Sequence, residues 1–342
     1  MPRLSVVMSV YGDVRFLDEA VESVLAQTFD DFELVVVDDG SEDPAPVASL
    51  AKRDARVRTV ANDRNLGLAR SLNRGVALAR APIIARMDAD DICHPSRLEA
   101  LCRALDEDPA LTVVGSRFVT TNEAGEDQES IAMPRTHPDV VWASLFFNPF
   151  CHSAIAFRRD AFEAVGGYDP AFEASQDYDL WVRMLASGRG GNLDEPLLRF
   201  RLNPRGISAL KAERQRMFAG RARLRTWAAL GIEPPTDIAS LAILASGFRL
   251  MPIERHLSEL DLYLSIYEDV RPRLAAAFPS LRAEEVDDIG MRLRAEARHY
   301  LTLVDPALDG ARAVAARCDE IARALGSEPE LPPEEPRPPK GF

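Results

Sequence analysis

The chain has 342 residues, of which 46% are hydrophobic and 28% charged, and its formal net charge is −13. This length accommodates one large domain with a smaller one, or two of ordinary size. The acidic balance excludes a nucleic-acid binder that works through a basic surface, and no stretch reaches the roughly 18 apolar residues of a membrane helix.

The longest apolar stretch, Ile238 to Phe248, is cut short by Arg249. The N-terminus, Met1 to Met8, leads straight into a strand-like run and lacks the plan of a signal peptide. Cys93, Cys102, Cys151 and Cys318 show no CxxC spacing, which argues against a zinc site or a disulfide framework and for a reducing cytoplasm.

Leu4 to Val10 is a short apolar run of the kind found in buried parallel strands. Leu17, Ala20, Val21, Val24 and Leu25 then recur at helical spacing. Phe32 to Val37 reads as a second strand, Pro44 to Lys52 as a helix and Val57 to Ala61 as a third strand. Leu68, Leu72, Val76 and Ala79 mark another helical face, and Ile83 to Met87 the next strand. A helix follows through Leu98, Leu101, Cys102 and Leu105, then a strand over Leu111 to Val119. This alternation predicts an α/β fold: a mostly parallel, Rossmann-like sheet with helices on both faces.

From Thr136 to Ser208 the pattern is less regular, with a strand expected over Ser153 to Arg158 and a helix opening at Gln176. Beyond Ala209 the chain is rich in Ala, Leu and Arg and reads as helical. Its last sixteen residues, Ser327 to Phe342, hold six prolines and four glutamates and read as a disordered tail. The expected domains are 1–208, 209–326 and the tail 327–342.

In open α/β sheets ligands bind beyond the carboxyl ends of the strands. Two acidic motifs stand at such ends: Asp38-Asp39-Gly40-Ser41 and Asp88-Ala89-Asp90-Asp91. Three carboxylates in four residues repel one another unless a cation sits among them. Mg²⁺ is usually held by one or two carboxylates together with substrate phosphates. The second motif is therefore a candidate metal site that reads a diphosphate. The first is either an Asp/Gly turn capping the next helix or an acceptor for a base N–H or ribose hydroxyls.

Six segments occur in order: Ser5-Val6-Val7-Met8-Ser9-Val10-Tyr11, Ser23 to Phe29, Phe32-Glu33-Leu34, Val37 to Ser41, Asn65 to Ala69, and Met87 to Asp91. Their order and spacing resemble the family 2 glycosyltransferases, a likeness that covers residues 3 to 208. The resemblance implies the nucleotide-sugar-binding GT-A fold and a nucleotide diphosphate sugar donor of UDP or dTDP type. Its nucleoside would lie near Ser9, Tyr11 and Asp39. Asp88 and Asp90 resemble the family's DxD motif, which implies that both hold Mn²⁺ or Mg²⁺ at the donor diphosphate, with Asp90 the direct ligand. Asp91 is expected to cap the helix that Pro95 helps start.

Gln176-Asp177-Tyr178-Asp179-Leu180-Trp181 resembles the family's Glu-Asp-x-Asp-Leu-Trp segment and puts Asp177 at the catalytic base of an inverting transfer. Gln176 stands where Glu is common. Arg199 to Ser208 resembles a Tyr-Arg-x-His…Ser segment in which Asn203 replaces His, so Arg201 and Arg205 become candidates to contact the diphosphate. His152 occupies a place that lines the acceptor side in the family. No Gln-x-x-Arg-Trp follows Asp177, which disfavours a processive synthase.

Residues 199–225 hold nine Lys or Arg against one acid, Glu213. This is either a solvated helical face or a patch for an anionic acceptor, including peripheral contact with the inner membrane face. The expected partners are the nucleotide sugar, a glycan or lipid-linked acceptor and a second copy of the chain, and not nucleic acid. Two alternatives remain: a sugar-nucleotide nucleotidyltransferase, which would want a Gly-rich basic loop that Tyr11 to Arg15 does not supply, and a catalytically inactive nucleotide-binding scaffold.

Overall fold

A computed structural model describes residues 1–204, 212–234, 253–302 and 310–326. The expected tail at 327–342 and the apolar stretch 238–248 lie outside the described residues. Backbone contacts divide the chain into two units, Met1–Thr236 with Ala276–Leu281, and Asp237–Ala275 with Arg282–Phe342.

The first unit starts with four parallel strands: Leu4–Val10 (β1), Phe32–Asp38 (β2), Val57–Ala61 (β3) and Ile83–Met87 (β4), in the order β3-β2-β1-β4. β2 is buried along its whole length and β1 nearly so, which explains their continuous Val and Leu runs. Burying each such side chain contributes about 1.5–3 kcal/mol. Helices Leu17–Leu25 (α1), Ala45–Leu50 (α2) and Leu68–Leu78 (α3) make the crossovers. α3 approaches β1 closely at Gly75, where a Cβ would meet the Val7 Cγ1 at 2.5 Å.

The sheet then continues with mixed direction. Its later elements are Ile92–Cys93 (β5), Arg97–Glu107 (α4), Leu111–Thr121 (β6), Asp127–Ile131 (β7), His137–Ala143 (α5), Ala156–Arg158 (β8), Arg159–Ala164 (α6), Gln176–Leu185 (α7) and Arg189–Arg201 (β9). β8 runs antiparallel to both β4 and β6, β9 runs parallel to β6, and β5 and β7 pair antiparallel with β9 and β6. A purely parallel extension would need a long crossover at each step. Here the short strand β8 is reached through a single 3₁₀ turn, His152–Ala154, and β7 returns from β6 as a hairpin.

The helix Ala212–Leu230 (α8) falls in the first unit, not in a separate helical domain. Its Phe218 and Ala222 are buried against Phe172 and Ala174 and against Tyr178 and Val182 of α7. The expected boundary after Ser208 is thus displaced beyond α8, because α8 supplies part of the core that α7 needs. The second unit contains Ile253–Ala277 (α9), Ala283–Thr302 (α10) and Ala311–Ala324 (α11). Leu257, Leu260, Leu264 and Tyr267 are buried on α9, as their spacing foretells. The Tyr267 hydroxyl donates to the Val286 carbonyl at 2.9 Å.

Candidate active site

The carboxyl ends of β1, β2 and β4 share one edge of the sheet, since Val10 pairs with Asp38 and Met8 with Met87. Ser9, Tyr11, Asp39 and Asp88 all emerge along it. Ser9 is half-buried and Tyr11 exposed. Asp39 is buried and largely occupied: it accepts from the Asn62 amide at 2.8 Å and from the backbone N–H groups of Leu66 at 2.8 Å and Gly67 at 3.0 Å. It thereby pins the loop that enters α3. An ionised carboxylate accepts about four such bonds, so room for one further donor remains. Gly40, at φ 73°, makes the tight turn beyond it, where a Cβ would meet the Arg64 backbone at 2.2 Å.

One carboxylate oxygen each from Asp88, Asp90 and Asp91 lies within 4.8 Å of the others. The three differ in their partners. Asp88 is ion-paired with the buried Arg86 and accepts the Ser153 hydroxyl at 2.7 Å. Burial alone would raise its carboxyl, but Arg86 outweighs that effect and the net direction is down. Asp90 is pushed up to about 6 by burial and then by the charge of Asp88. Asp91, only 1% exposed, is pushed up to about 8 by burial and then by both neighbours.

Asp91 does not cap a helix. α4 begins after Ser96, and Asp91 instead accepts the Arg201 backbone N–H at 2.9 Å, tying the end of β9 to the cluster. Its other oxygen is buried and without a hydrogen-bond partner. An all-oxygen donor set, crowded enough to hold protons and with one buried oxygen unsatisfied, fits Mg²⁺ or Mn²⁺.

Arg201, a candidate to contact the diphosphate, is buried. Its side chain is 2% exposed and engaged on several sides. It donates to the carbonyls of Asp90 at 2.9 Å and Glu123 at 2.7 Å, pairs with Glu19 of α1, and lies 4.2 Å from the centroid of the Phe16 ring. Arg205 lies outside the described residues. Asn203 places its amide 3.3 Å from the Asp90 Oδ2, so the residue that replaces the family's His still reaches the acidic cluster. The basic segment is largely paired: Arg199 with Asp127, Arg214 with Glu173, Arg225 with Asp169 and Asp179, and Arg223 on the Phe146 carbonyl.

Asp177 stands in the first turn of α7, 8% exposed. The preceding Ser175, at φ 51°, is the one non-glycine residue with positive φ among the described residues. Burial raises the Asp177 carboxyl, while the backbone at Tyr178 and the Asn148 amide, 2.6 Å from Oδ2, pull against it. Two residues on, Asp179 is fully buried between Arg183 and Arg225. Arg183 also donates to the carbonyls of Val165 at 2.6 Å and Gly167 at 2.8 Å, fastening the Gly166-Gly167-Tyr168-Asp169 loop to α7.

His152 faces the Tyr168 hydroxyl at 2.8 Å. Burial, then Arg86, holds its pKa well below the ordinary imidazole value, so the ring is neutral at physiological pH. Arg86, Ser153 and Asn148 also border these acids, and sequence reasoning missed them. Arg86 had a signal: it is a charge inside an apolar strand, two residues before Asp88 and therefore on the same face.

The model of the family described as Glycosyl transferase family 2 matches residues 5–166. The putative glycosyltransferase EpsE of Bacillus subtilis (strain 168) is 34% identical over 208 residues, 58% of this chain and 73% of its own length. The chain belongs to glycosyltransferase family 2. The O-antigen biosynthesis glycosyltransferase WbnJ of Escherichia coli is also 34% identical over 208 residues, 58% of this chain and 80% of that one. Among solved structures, the mannosyltransferase PcManGT from Pyrobaculum calidifontis, in complex with GDP-Man and Mn²⁺, superposes with a TM-score of 0.52. It is 19% identical and covers 96% of this chain and 88% of that one, so the likeness speaks to the GT-A fold. Among the described residues no helix of this glycosyltransferase is long and apolar enough to cross a membrane.

Proposed function

We propose that this glycosyltransferase is an inverting, metal-dependent, non-processive enzyme that moves a sugar from a nucleotide diphosphate sugar to a hydroxyl of a glycan or lipid-linked acceptor. The carrying observation is the 3₁₀ turn His152–Ala154, which joins the two places: Ser153 donates to Asp88 at 2.7 Å, and the ring of His152 packs edge-on against Trp181 of α7, the helix that carries Asp177.

Each residue then has a role. The sheet edge at Ser9, Tyr11 and Asp39 receives the nucleoside. Asp90, with Asp88 and Asp91, holds the divalent cation, which when bound neutralises charge on the leaving diphosphate. Arg201 and Asn203 keep Asp90 and Asp91 in place. Asp177 takes the proton of the acceptor hydroxyl as its oxygen bonds to the anomeric carbon. The bond from that carbon to the phosphate oxygen breaks on the opposite face, and the nucleoside diphosphate departs. His152, neutral beside Tyr168, lines the acceptor side as a hydrogen-bonding group and not as a cation. The relative named for O-antigen biosynthesis favours an acceptor of cell-surface polysaccharide type.

The test is a screen of UDP-, dTDP- and GDP-sugars with Mn²⁺ or Mg²⁺ for release of nucleoside diphosphate. Donor turnover needs no knowledge of the acceptor, since water can replace it slowly. Metal-dependent release from one donor is expected. No release, together with no thermal shift from any nucleoside diphosphate plus metal, sinks the reading.

A further inference from the structure

The segment that crosses in front of α7 touches it at two points. Asn148 donates its amide to the Asp177 Oδ2 at 2.6 Å, and its own carbonyl oxygen accepts the Phe150 backbone N–H at 3.3 Å. Phe150 in turn packs edge-on against Trp181, four residues along the same helix, with ring centroids 5.7 Å apart. The peptide after Asn148 leads into Pro149, which restricts its backbone further. The amide is therefore fixed from its own side and not merely drawn to the acid. Oδ2 of Asp177 is thus held by an amide whose own position is fixed.

We propose that Asn148 is a positioning residue for the proton-transfer step: it orients the Asp177 carboxylate and favours the ionised form. This rests on the reading of Asp177 as the base. A donor N–H held against a carboxylate stabilises its charged state, so removing the donor raises the pKa at which Asp177 becomes competent. The charged and titratable groups facing Asp177 are Arg86 from β4 and Tyr168 from the loop before α7. From α8, Arg225 is taken up by Asp169 and Asp179, and Arg223 by the Phe146 carbonyl. None of these replaces the amide at Oδ2.

The experiment compares Asn148→Asp, Asn148→Ala and Asp177→Asn in the full chain, using the nucleotide sugar that the wild type turns over and measuring kcat and donor KM across pH. Asn148→Asp keeps the shape of the side chain and replaces its donor by an acceptor, so it separates hydrogen bonding from packing. Asp177→Asn is expected to lose turnover. The acid limb of kcat is expected to move to higher pH by about one unit in Asn148→Ala and by more in Asn148→Asp, with donor KM within about twofold of wild type. An inactive Asp177→Asn beside an Asn148→Asp enzyme with a wild-type acid limb overturns the role of Asn148 alone. An active Asp177→Asn overturns the base itself, and the role of Asn148 with it. If Asn148→Asp fails to fold, the acid limb of Asn148→Ala decides: unmoved, it overturns the proposal.

Discussion

The acidic cluster at Asp88–Asp91, half-buried at Asp88 and Asp90 and buried at Asp91, and the buried single acid Asp177 are surrounded in opposite ways. In the cluster, like charges face one another; Asp90 is raised to about 6 and Asp91 to about 8, and one oxygen of Asp91 stays unpaired. The end of β9 and the residues just after it support the cluster directly, through Arg201 and Asn203. At Asp177 the support is a neutral amide and a helix N-terminus. The difference teaches what each place is built to receive. Crowded carboxylates hold on to protons unless a cation sits among them. A proton acceptor works best as one ionised oxygen with nothing competing for it.

Breaking one place should leave the other intact. Asp177→Asn is expected to lower sugar transfer by about 10²–10⁴, the usual worth of a general base, while UDP with Mn²⁺ still raises the melting temperature. Asp90→Ala is expected to do the reverse at the binding step. Ligand at about 100 times its Kd stabilises by roughly 2.7 kcal/mol, a shift of several degrees, and Asp90→Ala should abolish that shift. Full transfer activity in Asp177→Asn, or an unchanged metal-dependent shift in Asp90→Ala, removes the corresponding assignment.

The fixed position of α7 can be tested separately. Asp179 is fully buried, with one oxygen on Arg183 and the other on Arg225 of α8. Removing one partner of a buried ion pair leaves uncompensated charge behind. Asp179→Ala is expected to cost about 3 kcal/mol in urea unfolding, the low end for such pairs because Arg225 is partly exposed. Arg225→Ala should cost less than half of that. An Asp179→Ala protein of wild-type stability would show that α8 does not fasten the base helix.

Much of the donor half was legible in the sequence because its signals are local. β1, β2 and β4 are buried and read as mostly apolar runs, and acids stand directly at the ends of β2 and β4. The second half carries weaker signals. β7 is mostly exposed, β5 is two residues long, and β9 contains Gly190, Gly191 and Pro196, so none satisfies a strand template. The same distinction separates Asp90 from Asp91. Chain position marks both as acids at a strand end, but the partner of Asp91 is a backbone N–H 110 residues away, and no spacing rule reaches that far. Asn148 was missed for the same reason: an amide before a proline is ordinary until the fold sets it against Asp177.

The smallest effect concerns the cost of keeping Asp177 ready. Its carboxyl is raised in the folded protein, with burial the largest cause. A group whose folded pKa exceeds its unfolded one binds the proton more tightly when folded, so ionising it at neutral pH opposes folding. Asp177→Asn keeps an acceptor oxygen for the Asn148 amide and removes the buried charge. The variant is therefore expected to melt higher than wild type at pH 7 to 8. As pH falls through the folded pKa toward the ordinary carboxylate range, the wild-type group takes up its proton, its penalty disappears and the two melting curves converge. Paired thermal scans between about pH 4 and pH 8 measure this directly. A wild type that melts higher at neutral pH would mean that the Asn148 amide and the N-terminus of α7 more than compensate the burial, and that the lone acid is as well satisfied without substrate as the cluster is with its cation.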